Sequence, residues 1–258
     1  MNPTDLTAVT RFFEQANQGD HGAISQSEAI FLINKLVAAQ PKNILEIGCA
    51  TGFSTVLMTR FAKQLKAEQI ISIDLLPHFY GNQEKEVGFL TKEFLNPEEE
   101  KILTILSPFT SYDLPQITPN KNFDFVFIDG SHQHPWPTLD MIAILPHISK
   151  NATVVHHDLN LYKRKRCMHD LGPKYIFDQF DLSEKDILEG KNPNIFSLNL
   201  TMYYKEYTTR LIDSLCIPWS LRNRPPAKLM FQIGHYIEKY WSDTELYHWY
   251  CFSLERYY

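Results

Sequence analysis

The sequence predicts an α/β fold built on a doubly wound, mostly parallel sheet. Short apolar runs that are typical of strands alternate with segments of helical periodicity, and this alternation indicates βαβ units. The runs are hydrophobic almost throughout, as expected for strands that helices cover on both faces. Several end at an acidic residue, and the carboxyl ends of the central strands form the ligand crevice in such sheets.

The predicted elements follow one another over the first 200 residues. Residues 25–39 begin with Ser-Gln-Ser-Glu, a capping-box pattern that predicts a helix. Strands are predicted at 43–47, 69–74, 101–106, 123–129, 152–157 and 194–200, and further helices at 54–65, up to Phe94 and at 172–180. Residues 203–258 are rich in Tyr and Trp and predict two or three helices, with interruptions around Pro218 and Pro225-Pro226.

Length and composition favour one globular unit. The 258 residues are 44% hydrophobic and 21% charged, which is ordinary for a protein with a buried core. We expect a domain over 1–202 that includes N-terminal helices, and a C-terminal helical extension over 203–258 packed on the same domain. The net charge of −5 disfavours nucleic acid as a partner.

The cysteines and the hydropathy pattern bear on location. Four widely spaced cysteines form no disulfide-type pattern, which suits a reducing compartment. Residues 1–22 contain no apolar leader core, and no later segment is apolar over the length of a bilayer. We therefore expect a cytoplasmic protein without a membrane partner.

The segment after the first predicted strand carries small residues at close spacing. Gly48, Ala50 and Gly52 follow Glu46, and small side chains let a backbone approach a ligand. The pattern is neither the GxGxxG of dinucleotide sites nor a P-loop. Asp74 ends the next strand, where a carboxylate can accept both hydroxyls of a ribose. Either acid alone would more often cap a helix or face water, but together with the glycines they predict a nucleoside site.

A second cluster lies after two strands that we expect to be neighbours. Asp129, His132, His157 and Asp158 combine carboxylates with imidazoles, which suits a divalent cation such as Mg²⁺ or Mn²⁺. His132 is the candidate general base, because an imidazole with its ordinary pKa of roughly 6.5 accepts a proton near neutrality. Three other histidines are expected to be structural: His134, His147 and His156.

Four segments resemble class I S-adenosylmethionine-dependent methyltransferases. Residues 46–55 (EIGCATGFST) resemble their first motif, and residues 70–74 resemble their ribose-binding strand. Residues 123–132 (FDFVFIDGSH) and 154–158 (VVHHD) are similar to the macrocin-type and catechol-type O-methyltransferases. The resemblance covers about residues 25–200. It implies a Rossmann-like sheet of seven strands, the last antiparallel.

The resemblance also implies roles for individual residues. Gly48 and Gly52 would flank the methionine part of S-adenosylmethionine, Glu46 would order its amino group, and Asp74 would hold its ribose. The set expected to bind the cofactor is Glu46, Gly48, Ala50, Gly52, Ser54, Asp74 and Asp129. The set expected to bind a metal is Asp129, His157 and Asp158, and the catalytic pair is His132 and Asp129.

The function expected from these residues is methylation of a hydroxyl on a small molecule, such as a natural-product or sugar intermediate in biosynthesis. N-methylation and a cofactor-binding subunit without catalysis are the alternatives. Residues 163–166 (KRKR) could steer an acidic substrate, although a solvated helix face is the more common role of such a run. The aromatic tail suits a substrate lid, a homo-oligomer interface or packing against the sheet.

Overall fold

The computed structural model describes residues 7–16, 24–119, 121–190, 192–222 and 224–258. The expectation about a leader concerns residues 1–22, which lie partly outside this described part. Among the helices of the described residues, none is both long enough and apolar enough to cross a membrane.

A seven-stranded sheet forms the centre of the fold. The strands are β1 (Asn43–Ile47), β2 (Gln69–Ile73), β3 (Leu103–Leu106), β4 (Phe123–Ile128), β5 (Ile148–His157), β6 (Lys185–Ile187) and β7 (Ile195–Leu200). Their spatial order is β3-β2-β1-β4-β5-β7-β6. Strands β1 to β5 are parallel, and β7 runs antiparallel to both of its neighbours. The predicted seven-stranded sheet with an antiparallel last strand is confirmed.

Eleven α-helices lie in the described part of the chain. They are α1 (Thr7–Gln15), α2 (Gln26–Ala39), α3 (Phe53–Gln64), α4 (Phe89–Phe94), α5 (Pro97–Glu100), α6 (Leu114–Ile117), α7 (Trp136–Ile144), α8 (Gly172–Asp178), α9 (Thr208–Leu215), α10 (Ala227–Tyr240) and α11 (Leu246–Tyr257). The predicted capping box of α2 is present, since Ser25 Oγ accepts the Glu28 N–H while the Glu28 carboxylate accepts the Ser25 N–H.

The two faces of the sheet bury separate cores. Helices α1, α2 and α3 cover one face, and α7 packs on the other together with the C-terminal helices. Trp241 and Tyr250 are almost fully buried in the second core, and Trp241 Nε1 donates to the Ile142 carbonyl of α7 at 3.3 Å. The C-terminal helices were predicted; some of their aromatic residues pack in the core, whereas Phe231, Tyr247 and Phe252 are exposed. The domain boundary at residue 202 stays a prediction.

The carboxyl ends of the central strands place the candidate site. Strands β1 and β4 lie side by side, and the chain leaves them towards opposite halves of the sheet. This is the topological switch point, where doubly wound folds open a crevice for ligands. The residues that directly follow these strands are Gly48 after β1, Asp74 after β2, Asp129 after β4 and Asp158 after β5.

Candidate active site

Gly48 lets the loop after β1 pack directly on the loop after β4. Its φ of +94° lies in the left-handed region, and a Cβ there would lie 2.6 Å from the Asp129 carbonyl carbon and 2.8 Å from the Gly130 Cα. A side chain would therefore force two backbones apart. The predicted close approach is present, but its partner is the protein's own backbone.

Asp74 holds the loop after β1 by hydrogen bonds. Its Oδ2 accepts the N–H groups of Cys49 at 3.0 Å and Ala50 at 2.9 Å, and its Oδ1 accepts the N–H of Leu76 at 2.9 Å. A carboxylate offers about four acceptor positions, so about one remains. The predicted binding of both ribose hydroxyls by Asp74 stays a prediction.

Glu46 lies beneath the loop. It is fully buried, and its carboxylate accepts hydroxyl groups from Ser54 at 2.6 Å, Thr55 at 2.6 Å and Ser72 at 2.5 Å. It lines neither of the two cavities at this edge of the sheet. Glu46 thus joins β1, β2 and α3, while Ser54 does line a cavity; the predicted contact of Glu46 with the cofactor's amino group stays a prediction.

The buried carboxyl of Glu46 predicts a pH-dependent stability. Burial raises its pKa to about 7, although the three hydroxyl donors oppose the shift. A raised pKa means that the stabilising, protonated state is complete below the unfolded value and is lost as the pH rises towards 7. Relative to Glu46→Gln, the wild-type protein should lose about 2 kcal/mol of unfolding free energy between pH 5 and pH 8. Urea denaturation of both proteins across this range measures the difference, and parallel curves would contradict it.

Two cavities flank the loop after β1. The larger, about 440 Å³, contains Asp74 and apolar or aromatic side chains that include Phe109, Tyr112 and Trp136. The smaller, about 310 Å³, contains Ser54. The walls that they share are formed by Gly48, Ala50, Tyr80, Asp129 and Gly130. One elongated ligand can therefore span both cavities, with its apolar end in the larger one.

Sequence reasoning missed most of the larger cavity. Its unpredicted lining includes Leu75, Phe109, Thr110, Ser111, Tyr112, Trp136 and Asp140. The stretch from 109 to 112 follows β3, and the rule that ligands lie at the carboxyl ends of strands could have indicated it. Trp136 and Asp140 lie on α7, whose sequence carries no motif for a ligand.

Asp129, His132 and Asp158 come together at the smaller cavity. We call them the Asp-His-Asp trio, and one ligand atom from each lies within 4.8 Å of the others. His132 Nε2 lies 2.9 Å from Asp158 Oδ2 and 3.4 Å from Asp129 Oδ1. Asn194 donates to the other oxygen of Asp158 at 2.7 Å, which fixes that carboxylate.

His157 lies behind the trio. Its Nδ1 is 3.0 Å from Asp129 Oδ1, and its Nε2 is 3.4 Å from Glu28 Oε2 on α2. The group that could hold a metal ion in this structure contains His132 in place of the predicted His157, which lies against Asp129 from the interior. Burial alone would raise the pKa of Glu28, but the hydrogen bond and charge of His157 outweigh it and lower the pKa to about 2. Sequence analysis missed this role of Glu28, since its capping pattern explained it fully.

The two carboxylates of the trio change the character of His132. Burial alone would lower its pKa, but the hydrogen bonds to Asp129 and Asp158 and their charges raise it to about 9. The ring is thus cationic at neutral pH, contrary to the expectation of an ordinary pKa. Two carboxylates with one imidazole form a donor set that fits a divalent cation, and the imidazole favours Mn²⁺ or Fe²⁺ over Mg²⁺.

The three histidines that were expected to be structural lie in packed positions. His134 is buried with Nε2 3.2 Å from the Ile217 carbonyl, and His156 stacks on Phe196 with ring centroids 5.1 Å apart. His147 contacts the aromatic rings of Tyr236 and Tyr240. All three lie outside the linings of the two cavities at the carboxyl ends of the strands.

Comparison with known proteins identifies the central part of the chain. Residues 45–159 match the family described as "Methyltransferase domain", a segment that contains β1 to β5 and the trio. No curated protein matches the chain significantly in sequence.

Several solved structures share the fold. An O-methyltransferase from Bacillus cereus in complex with SAH is 15% identical, with 78% of this chain and 92% of that chain covered and a TM-score of 0.53. A methyltransferase from Podospora anserina with bound SAH is 16% identical, covering 76% and 88%, with a TM-score of 0.53. The O-methyltransferase TomG from Streptomyces achromogenes, involved in tomaymycin synthesis and in complex with SAM, is 16% identical, covering 76% and 89%, with a TM-score of 0.51.

At such identities these structures establish the fold. The family match covers less than half of the chain, and the sheet order agrees with the resemblance in the four motifs. Over residues 45–159 the chain is therefore similar to a methyltransferase domain, and it shares the fold of methyltransferases that bind S-adenosylmethionine.

Proposed function

We propose that this methyltransferase transfers the methyl group to a hydroxyl oxygen of a small molecule. The observation that carries the proposal is the Asp-His-Asp trio at the smaller cavity, beside the loop after β1. The adenosine part of S-adenosylmethionine would lie in the larger, apolar cavity and its methionine part in the smaller one. Its methyl group would then be near the trio, where the acceptor oxygen can approach it in line.

A hydroxyl is a weak nucleophile until its proton leaves, and the trio supplies groups for this task. Because the two carboxylates raise the pKa of His132 to about 9, only the minority of molecules with a neutral ring at pH 7 could accept the proton through Nε2, and Asp129 and Asp158 would stabilise the imidazolium that forms. The same three side chains would hold a divalent cation such as Mg²⁺ or Mn²⁺. When bound, such a cation would position the acceptor oxygen and lower the pKa of its hydroxyl.

The acceptor class follows from the open, mixed lining of the smaller cavity. It combines the polar trio with Ile24, Phe53 and Tyr80, which suits a compact polyhydroxy or aromatic hydroxyl compound. A natural-product or sugar intermediate of biosynthesis fits this description. A cytoplasmic location and a homo-oligomeric state are expectations that accompany the proposal.

Chelation tests the proposal and its metal-assisted form. The purified enzyme is assayed with radiolabelled S-adenosylmethionine on catechols, sugars and amines, before and after EDTA. Loss of turnover in EDTA and recovery with Mn²⁺ or Mg²⁺ would support the metal. Full activity in excess EDTA would leave His132 with Asp129 as a metal-free proton relay, and turnover on amines alone would contradict O-methylation.

Asp74 predicts a specific loss of cofactor affinity. Asp74→Ala should weaken S-adenosylhomocysteine binding by about 2 kcal/mol, a factor of roughly 30 in Kd, because a hydrogen bond to the ribose and the support of the loop both disappear. Calorimetry measures the Kd. The exposed Asp213 of α9 offers the control, and Asp213→Ala should bind as the wild-type protein does. Unchanged affinity in Asp74→Ala would remove Asp74 from the cofactor site.

A further inference from the structure

The four basic residues at 163–166 form an exposed turn rather than a helix face. A short 3₁₀ turn ends at Lys163, and the segment Lys163-Arg164-Lys165-Arg166, which we call the basic turn, continues without regular structure. All four residues are exposed. The four residues therefore do not form the solvated helix face that was expected.

Hydrogen bonds fix the basic turn beside the trio. The segment that carries it starts at Asp158, whose carbonyl accepts the Leu161 N–H at 3.2 Å. The same segment ends where the Gly172 N–H donates to the carbonyl of His132 at 2.9 Å. Both ends of the segment are thus attached to members of the trio, and the basic turn begins five residues after Asp158 in the chain.

Arg222 connects the basic turn to the loop that carries His132 and adds a fifth cation. The backbone N–H of Arg222 donates to the side chain of Gln133 at 2.9 Å, next to His132 in the chain. Its guanidinium donates to the carbonyl of Arg166 at 2.6 Å and lies 3.8 Å from Asp170. Arg222 is thus partly neutralised and braces the basic turn, whereas the turn itself keeps its full charge.

The charges of the basic turn have no acidic partner among the residues that the structure describes. No carboxylate of that part lies within 4.0 Å of the nitrogen atoms of the four side chains, although other lysines of the chain, such as Lys35, Lys92 and Lys205, do form ion pairs. Four adjacent cations repel one another. The chain has a net charge of −5, yet several of its acidic residues form ion pairs with other basic residues. A bound anion would relieve this repulsion.

We propose that the basic turn binds a phosphate group of the acceptor while the acceptor's hydroxyl lies at the trio. The inference rests on the proposed function and names its substrate class: a phosphorylated hydroxyl compound. Arginine presents a planar pair of donors that matches phosphate oxygens, and the lysines add positive charge around them. The acidic trio would repel such a group, so the phosphate end must lie at the rim and the hydroxyl end inside.

Two variants with the same change in net charge test the inference. The first is K163Q/R164Q/K165Q/R166Q. The control is K66Q/K150Q/K228Q/K239Q, which removes four exposed lysines outside the basic turn. Each protein is loaded with S-adenosylhomocysteine in EDTA and titrated by calorimetry with pyrophosphate, and in a separate arm with succinate to represent a carboxylate. Pyrophosphate should bind the wild-type protein, and its Kd should rise about tenfold or more in the first variant and stay within about twofold in the control.

The outcomes separate the two proposals. Failure to bind S-adenosylhomocysteine would contradict the proposed function, whereas normal cofactor binding without saturable pyrophosphate binding would overturn the basic turn as a phosphate site. Equal losses in both variants would also overturn it, because they would reflect net charge alone. Tighter binding of succinate than of pyrophosphate would replace phosphate by carboxylate. A single-stranded oligonucleotide that binds more tightly than pyrophosphate, and only with the basic turn intact, would indicate nucleic acid and overturn the small acceptor.

Discussion

Replacing His132 by alanine is expected to lower kcat by about 10²- to 10⁴-fold, because the change removes a group that acts on the acceptor's proton or position in the transition state. The Kd for S-adenosylhomocysteine should change by less than about twofold, because His132 is assigned to the acceptor's hydroxyl and not to the cofactor, although it shares the smaller cavity with the loop after β1. Single-turnover kinetics and calorimetry measure the two quantities. Their separation distinguishes an effect on chemistry from an effect on cofactor binding.

Two further variants show whether the effect is specific to His132 and its site. His235 is exposed on α10 and pairs with Glu238, so His235→Ala should leave kcat unchanged. Asp158→Asn keeps the shape of the side chain and removes its charge, and it should abolish any stimulation by Mn²⁺ or Mg²⁺. If His132→Ala turns over at the wild-type rate, neither a base nor a metal ligand belongs at residue 132.

Gly48→Ala is expected to abolish cofactor binding, with a Kd for S-adenosylhomocysteine raised by about 100-fold or more. The added methyl group would meet the backbone of Asp129 and Gly130, and the φ of +94° strains any residue with a side chain. The loop after β1 must then move away from the loop after β4, and both cavities change shape. Calorimetry provides the Kd, and thermal unfolding shows whether the fold survives.

Gly130 provides a matched control in the same wall. A Cβ at Gly130 would lie 3.6 Å from Ile47 Cγ2, an ordinary contact, and its φ is not in the left-handed region. Gly130→Ala should therefore bind the cofactor within about threefold of wild type. A folded Gly48→Ala protein with normal affinity would show that the contact between the two loops is dispensable.

The sheet could be predicted because its signal is local. Apolar runs such as those of β1 and β4 are short, uninterrupted and followed by acids or glycines, so their type and their carboxyl ends are visible in the sequence. Two strand boundaries in the structure differ from the predicted ones. The third strand begins at Leu103 because Lys101 closes α5, and β5 begins at Ile148, earlier than predicted.

The composition of the trio could not be predicted because it depends on side-chain direction and on a distant helix. His157 pairs across β5 and β7 with Ile195, and Glu28 of α2 lies against its Nε2. Because His157 precedes Asp158 in the chain, the sequence favoured it as a ligand of the site. In the structure the His157 ring packs in the interior, and His132 belongs to the trio instead. Asp74 is a similar case, since it accepts two backbone N–H groups of the loop after β1 and one of its own loop.

The contact of α10 with α7 links the C-terminal helices to the wall of the larger cavity. Tyr236 of α10 donates to the Ala143 carbonyl at 2.6 Å, and α7 also carries Trp136 and Asp140 in the wall of the larger cavity. Asp140 in turn accepts the Ser111 hydroxyl at 2.7 Å on the opposite wall. The width of the larger cavity therefore depends on a helix whose outer side contacts residues far along the chain. If the proposed adenosine site is correct, substitutions in the tail should change the affinity for S-adenosylmethionine without changing any residue of the cavity wall.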